Sequence, residues 1–242
     1  MTTLLAFDTA TERMSIALAV NGQVHVDEAA GGAQASATLI PAIVALLRRA
    51  GVVLADLDAI AFGRGPGAFT GLRTACSVAQ GLAFGTGRPV LPVDTLLCVA
   101  EDARDGIGPQ SIWVAMDARM NEIYAAHYAY EAGRWTTLAA PMLASVEALI
   151  ERWQAEPPMA VAGSALAAFG ERLDTGAARR APQASPHARA MLPLAQALWD
   201  AGGAVDAALA LPLYVRDKVA QTTAEREALR LEKHGAPMED AR

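Results

Sequence analysis

Leu57–Phe84 reads LDAIAFGRGPGAFTGLRTACSVAQGLAF and runs three patterns together: an apolar stretch, a glycine-rich turn and a stretch with helical spacing. Leu57 to Phe62 predicts a buried strand, Gly63 to Gly71 a loop, and Leu72 to Phe84 a helix. Four glycines and a proline inside that loop demand a backbone path open to few other residues. Val90 to Val93 supplies the next strand, so the segment is one unit of an α/β sheet. Upstream, Leu4 to Thr9 is a short apolar run. Met14 to Val20 alternates apolar and small residues as a half-buried strand does. Asn21-Gly22 is the preferred pair for a type I′ turn, and Gln23 to Asp27 returns as the next strand. A helix from about Ser36 to Ala50, ended by Gly51, joins this hairpin to Leu57. A hairpin followed by strand–helix alternation predicts an α/β sheet of mixed direction.

The same order begins again downstream. After a loop from Asp102 to Gln110, Ser111 to Met116 is an apolar strand ending at Asp117, as the first strand ends at Asp8. Glu122 to Tyr128 and Trp135 to Leu138 read as the next strands, and Met159 to Ala162 as a buried one. Helices are predicted at Val146 to Trp153, Leu166 to Leu173 and Arg189 to Ala201, with a surface loop at Ala181 to Pro186. This is a duplication of pattern rather than of identity. The expected division is an N-terminal lobe over 1–101, a C-terminal lobe over 102–216, and a charged tail over 217–242. In that tail, Thr222 and Glu225 have capping-box spacing, and a helix could run to His234.

Composition narrows the function classes. The 242 residues are 53% hydrophobic, with 20 Lys and Arg against 26 Asp and Glu, a net charge of -6. Such a chain folds and buries a core, and its acidity argues against binding nucleic acid unaided. Met1-Thr2-Thr3-Leu4 lacks the basic start of a signal peptide. The uncharged stretch Ala29–Leu47 carries too many Gly, Ser, Thr and Gln residues for a membrane span. Cys76 and Cys98, without a CxxC, read as reduced core residues of a cytoplasmic protein.

The residues suggest several chemistries and support few. Gly63, Gly65 and Ala68 fit G-x-G-x-x-A formally, but outside the first strand–helix unit and with Arg88 near the place of the ribose-binding acid. No Walker A loop aligns. His25, His127, His187 and His234 are isolated, so no zinc or iron site is expected. No nucleophile elbow exists, and Ser164 after Gly163 reads as a helix N-cap. Asp8 and Asp117 at strand ends either hold magnesium in a cleft, as vestigial phosphate or metal positions, or cap turns.

The helix faces say more. Leu39, Ile40, Ile43, Leu46 and Leu47 form one apolar face of the first helix, and Pro41 and Ala45 lie opposite. In the helix after the glycine loop, Leu72, Cys76, Ala79 and Ala83 face one way, and Thr70, Thr74, Ser77 and Gly81 form a stripe of small residues on the other. Neither outer face carries the charges of ordinary solvent surface. Either another protein or a second copy docks there, on Pro41, Ala45, Thr74, Ser77 and Gly81, or the second lobe covers both faces.

Gly65, Pro66, Gly67, Phe69, Thr70, Gly71 and Arg73, within GPGAFTGLR, resemble the GPGSFTGLR signature of the TsaB (YeaZ) family. Leu5-Ala6-Phe7-Asp8-Thr9-Ala10, Leu39-Ile40-Pro41, Asp117-Ala118-Arg119 with Glu122-Ile123-Tyr124, and Pro212-Leu213-Tyr214-Val215-Arg216 are similar too. Ala68 stands where the family usually has serine, and the His-Ser-Glu often found before the first helix is missing. The resemblance implies an actin-like ATPase (ASKHA) fold of two similar lobes, α/β with mixed sheets and flanking helices. It also implies a non-catalytic subunit that works with TsaD, joined by the ATPase TsaE, in threonylcarbamoyl transfer to the adenosine next to the anticodon of tRNA. No intrinsic cofactor is implied, a nucleotide has room at the partner interface, and tRNA is met only through the complex. The subunit would form a homodimer when alone, away from any membrane. The rival reading is a magnesium-dependent nucleotide phosphotransferase or hydrolase of the same fold built on Asp8 and Asp117. A metallopeptidase is disfavoured by the lack of ligands.

Overall fold

The structure is a computed structural model and describes residues 2–106 and 108–216. The tail helix expected beyond Thr222 lies outside the described residues. The first half contains strands β1 (Leu4–Asp8), β2 (Arg13–Val20), β3 (Gln23–Ala30), β4 (Ala59–Gly65) and β5 (Val90–Asp94). Its helices are α1 (Ala35–Ala50), α2 (Phe69–Thr86) and α3 (Thr95–Asp102). The second half contains β6 (Gln110–Asp117), β7 (Glu122–Glu131), β8 (Arg134–Ser145), β9 (Ala160–Ala162) and β10 (Arg179–Ala181). Its helices are α4 (Val146–Ala155), α5 (Ala165–Phe169) and α6 (Ala188–Asp200).

Local sequence accounts for most boundaries. Asn21 and Gly22 adopt φ of 50° and 76°, the left-handed pair a type I′ turn requires, and the β2–β3 hairpin closes on them. Gly51 ends α1 in the left-handed conformation, its N–H bonded to the carbonyl of Arg48. The glycine loop is much shorter than its composition suggests. Strand β4 continues through Gly65 and α2 begins at Phe69, which leaves only residues 66–68 between them.

The two sheets share one topology. Their strand orders are β3-β2-β1-β4-β5 and β8-β7-β6-β9-β10, so β6 repeats the central position of β1. In each, the first three strands form an antiparallel meander, and the last two join it in parallel. The duplication seen in sequence pattern is therefore a duplication of fold.

Packing then exchanges one helix between the halves. Leu39, Ile43 and Leu46 of α1 and Ala75 and Ala79 of α2 cover one face of the first sheet, against Phe7, Ile16, Leu18, Ile60 and Phe62. The opposite face, with Leu4, Ala6, Ala17, Ala61 and Leu91, is covered by Ala188, Met191, Leu192 and Ala195 of α6. Conversely, Leu96, Val99 and Ala100 of α3 pack on Ile112, Val114 and Tyr128 of the second sheet. Helices α4 and α5 cover its far side through Leu149, Trp153, Leu166 and Phe169. The chain after α6 also returns to the first sheet, where Val205 bridges to Val90 and Ala207 and Ala210 are buried. A cut between 101 and 102 separates the strands of the two sheets but leaves each core dependent on a helix from the other side.

Candidate functional site

A cleft of about 750 Å³ opens between the halves. Four turns meet there: the β1–β2 turn with Thr11 and Glu12, the loop at Pro66–Ala68, the β6–β7 turn with Asp117 and Arg119, and the start of α5 at Ser164. Residues 213–216 cross beside them. Most of the lining is apolar, including Phe69, Leu72, Met116 and Met120. Its charges are already paired: Arg119 with Glu12 at 3.2 Å across the opening, and Arg216 with Glu122 at 2.6 Å.

The glycine loop is built around the protein's own backbone. A Cβ on Gly63 would stand 1.7 Å from Oδ2 of Asp8, and one on Gly71 would stand 1.9 Å from the carbonyl oxygen of Thr9. At Gly67 the obstacle is Ala10, and at Gly65, with φ of +114°, it is the carbonyl oxygen of Leu213 at 2.7 Å. Hydrogen bonds close the same contacts: the Thr9 hydroxyl donates to the Gly71 carbonyl at 2.7 Å, and the Ala68 N–H to the Ala10 carbonyl at 2.8 Å. The Gly65–Pro66 peptide is cis. The formal G-x-G-x-x-A match, already out of place along the chain, gains no support. Its two glycines lie within β4 and face Asp8 and Leu213, so they do not cradle a pyrophosphate.

The remaining signature residues point to the chain's last described residues. Leu213 N–H donates to the carbonyl of Arg64 at 2.6 Å. The Tyr214 ring lies 5.2 Å from that of Phe69, and its hydroxyl accepts from Nε of Arg73 at 3.2 Å. The Arg73 guanidinium sits 3.9 Å over the Phe69 ring. Thr70 is exposed, and its carbonyl accepts from the Thr74 hydroxyl at 3.0 Å.

Asp8 and Asp117 occupy matching strand ends in different surroundings. Asp8 is buried. Oδ1 accepts from the Ala10 N–H at 2.7 Å and Oδ2 from the Thr95 hydroxyl at 2.9 Å. Thr95 in turn accepts from the Gly65 N–H at 3.1 Å. Burial pushes the Asp8 carboxyl up to about 6, against the pull of those two donors. Asp117 is half-buried at the cleft. Its Oδ1 accepts from the Arg119 N–H at 2.8 Å, and its own N–H donates to Ser164 Oγ at 3.1 Å. Ser164 stands at the N-cap position of α5, but its hydroxyl serves Asp117 and makes no bond to that helix. Among the described residues, no group of three or more His, Cys, Asp or Glu is placed to hold a metal ion.

The outer faces of α1 and α2 are open to solvent and are not covered by the second half. Pro41, Ala45, Ser77 and Gly81 are exposed, and Thr74 is half-buried. Two large apolar residues join them. Ile40, expected on the buried face of α1, is 48% exposed, and Phe84 is 66% exposed at the far end of α2. Phe84 was missed because a helical wheel sorted by size put it in neither stripe. Cys76 and Cys98 are buried free thiols that donate to the carbonyls of Ala210 and His187, and burial raises both. Among the described residues, no helix is long and apolar enough to cross a membrane.

Two sheets of one topology, flanked by helices and facing each other across a cleft, define the actin-like (ASKHA) class of α/β proteins. The family model described as "TsaD: tRNA N6-adenosine threonylcarbamoyltransferase" matches residues 31–224. The tRNA threonylcarbamoyladenosine biosynthesis protein TsaB of Haemophilus influenzae is 35% identical over 228 residues, 90% of this chain and 94% of the relative. The protein of the same name from Escherichia coli is 33% identical over 232 residues, 90% and 96% of the two chains. The solved structure of YeaZ from Pseudomonas aeruginosa superposes with a TM-score of 0.80 at 38% identity, covering 88% of this chain and all of that one. The chain belongs to the TsaB (YeaZ) family.

Proposed function

We propose that this protein is a non-catalytic subunit in threonylcarbamoyl transfer to the adenosine next to the anticodon of tRNA, and that it docks a TsaD-like transferase through the outer face of α1 and α2. The observation that carries the docking face is the solvent exposure of Ile40, Pro41, Ala45, Ser77, Gly81 and Phe84 on two neighbouring helices, with exposed charge only toward the helix ends, at Arg48 and Arg49 of α1 and Arg73 of α2. Small residues let a partner helix approach closely, and the flanking Ile40 and Phe84 give it apolar surface to bury. The names of the relatives supply the pathway. A net charge of -6 leaves the tRNA surface to the partner. A TsaE-like ATPase would join the complex in the cytoplasm, any nucleotide would sit between subunits, and the same face would pair two copies when the partner is absent.

The rival built on Asp8 and Asp117 around magnesium has little geometric support: Asp117 already faces Arg119, whose N–H its Oδ1 accepts and whose guanidinium lies 3.5 Å from its Oδ2. Asp8 is sealed behind Gly63, and both of its oxygens are taken by internal donors. Hard cations need carboxylate oxygens that are free to bind them.

The test is transfer to tRNA from the threonylcarbamoyl adenylate by the TsaD-like protein, with and without this chain. Dependence on the chain, and no transfer when the TsaD-like protein is left out, is the expected result; transfer indifferent to its presence would overturn the reading. Gly81→Arg probes the face, since Gly81 has nothing within 4 Å of an added Cβ. The variant should fold with unchanged stability and lose association with both partner and second copy, as judged by light scattering and titration calorimetry.

A further inference from the structure

We infer that residues 207–216 form an interlobe latch, with Arg216 as its bolt, which holds the cleft at fixed width. The segment is bonded along the first lobe in three places. The Ala210 carbonyl accepts from Gln80 Nε2 at 2.9 Å and from Cys76 Sγ at 3.0 Å, which ties it to the middle of α2. Leu213 N–H donates to the Arg64 carbonyl, and Gly65 leaves the space that the Leu213 carbonyl fills. Tyr214 then reaches Phe69 and Arg73 in the first turn of α2. Two residues later the chain crosses to the second lobe. There Arg216 Nη2 donates to Glu122 Oε2 at 2.6 Å and to the Arg119 carbonyl at 3.4 Å, and its guanidinium lies 6.0 Å from the Tyr124 ring centroid.

Two comparisons make this segment the tie on the cleft side. Among the described residues, the other ion pair across the opening, Arg119 with Glu12, joins side chains that are 71% and 80% exposed, and solvent screens such a pair heavily. The Arg216 side chain is 13% exposed and that of Glu122 38%, so this pair acts in a drier setting than the first. The exchanged helices α3 and α6 connect the lobes through packed cores and cannot separate without exposing them. The fold thus joins its lobes in two ways, through a permanent packed joint and through a polar fastening, the arrangement of a hinge with a catch. The fastening is also incomplete: Arg216 Nε is buried with no partner, so the bolt forgoes one hydrogen bond when shut. A catch of that kind opens more readily than a fully bonded one.

The inference concerns the cleft and does not depend on the proposed partner. Its test places spin labels at exposed sites outside the latch, Gln23→Cys on the first lobe and Glu151→Cys on the second, and measures the distance between them in the full chain. The expected result is one narrow distance in the parent, and a longer, broader distribution in Arg216→Ala and in Tyr214→Ala. Glu122→Gln removes the bolt's counter-charge and leaves the latch segment intact; it should show the same shift and carries the test if either other variant fails to fold. Leu211→Ala, at a solvent-exposed position of the segment, should leave the distance unchanged. A distribution identical to the parent in folded Arg216→Ala and Glu122→Gln would overturn the inference.

Discussion

Replacing Asp8 by Asn should remove a pH dependence that the parent carries between about pH 4 and pH 7. The buried carboxyl titrates near 6, against 3.8 for an ordinary aspartate, because desolvation outweighs the two hydrogen bonds from Ala10 and Thr95. In that window the native state binds more protons than the unfolded chain, so stability falls as pH rises. Asp8 therefore imposes no penalty below the unfolded value and its full penalty above the folded one. Two units correspond to roughly 3 kcal/mol. Urea denaturation of parent and Asp8→Asn in parallel from pH 4 to pH 7.5 reads the effect as a difference, from which the other carboxylates cancel. The parent should lose roughly 2.5 kcal/mol relative to the variant across the series, since part of the penalty is already present at pH 4. A difference that stays flat, or one that grows in the parent's favour as pH rises, would refute the account of Asp8 as a buried, weakly compensated charge. Thr95→Val supplies a second check. Without the hydroxyl that favours the ionised form, the transition should move to still higher pH.

Gly71→Ala should destabilise by about 3 kcal/mol or more, since its methyl would meet the backbone oxygen of Thr9 and neither chain can yield alone. Gly81→Ala, in the same helix with open space around it, should be neutral or stabilising by up to about 1 kcal/mol; equal denaturation midpoints for the two variants would contradict the seat described for the loop. Met191→Ala should cost about 2–5 kcal/mol, because α6 is core to the first sheet although it lies some ninety residues beyond residue 101. Residues 1–101 expressed alone should fail to fold cooperatively, leaving Leu4, Ala6, Ala61 and Leu91 uncovered. A sharp thermal transition in that fragment would show the exchanged helix to be dispensable.

Much of the strand order was legible because alternation and turn chemistry are local. The Asn21-Gly22 hairpin, the helix ending at Gly51 and the return of the pattern after Asp117 all rest on residues within a few positions of one another. Helix α3 was not legible. Leu96, Val99 and Ala100 face the second sheet while Cys98 faces the first, so the helix has no polar side to reveal its period. Strand β10 went unread: the surface loop expected over Ala181 to Pro186 touches only its last residue, and the strand is three residues long with its first two side chains exposed. The exchange of α3 and α6 could not be read at all, since nothing in Met191 or Val99 records which of two similar apolar sheets it will cover.

The glycine signature shows the same boundary at the level of the site. A sequence reveals that backbone must come close to something at Gly63, Gly65, Gly67 and Gly71, and that Phe69 and Arg73 stand beside it. It does not reveal whether the neighbour is a ligand or another part of the chain, because both require the missing Cβ. Here the neighbours are Asp8, Leu213, Ala10 and Thr9 in turn, so each glycine answers to the protein itself. The candidate docking residues differ in kind: a Cβ on Gly81 would meet nothing within 4 Å, so nothing within the chain requires a glycine there. The helix at Phe69–Thr86 therefore works on two faces: Cys76 and Gln80 on its inner side hold the segment at Ala210, and Ser77, Gly81 and Phe84 on its outer side form the proposed docking surface.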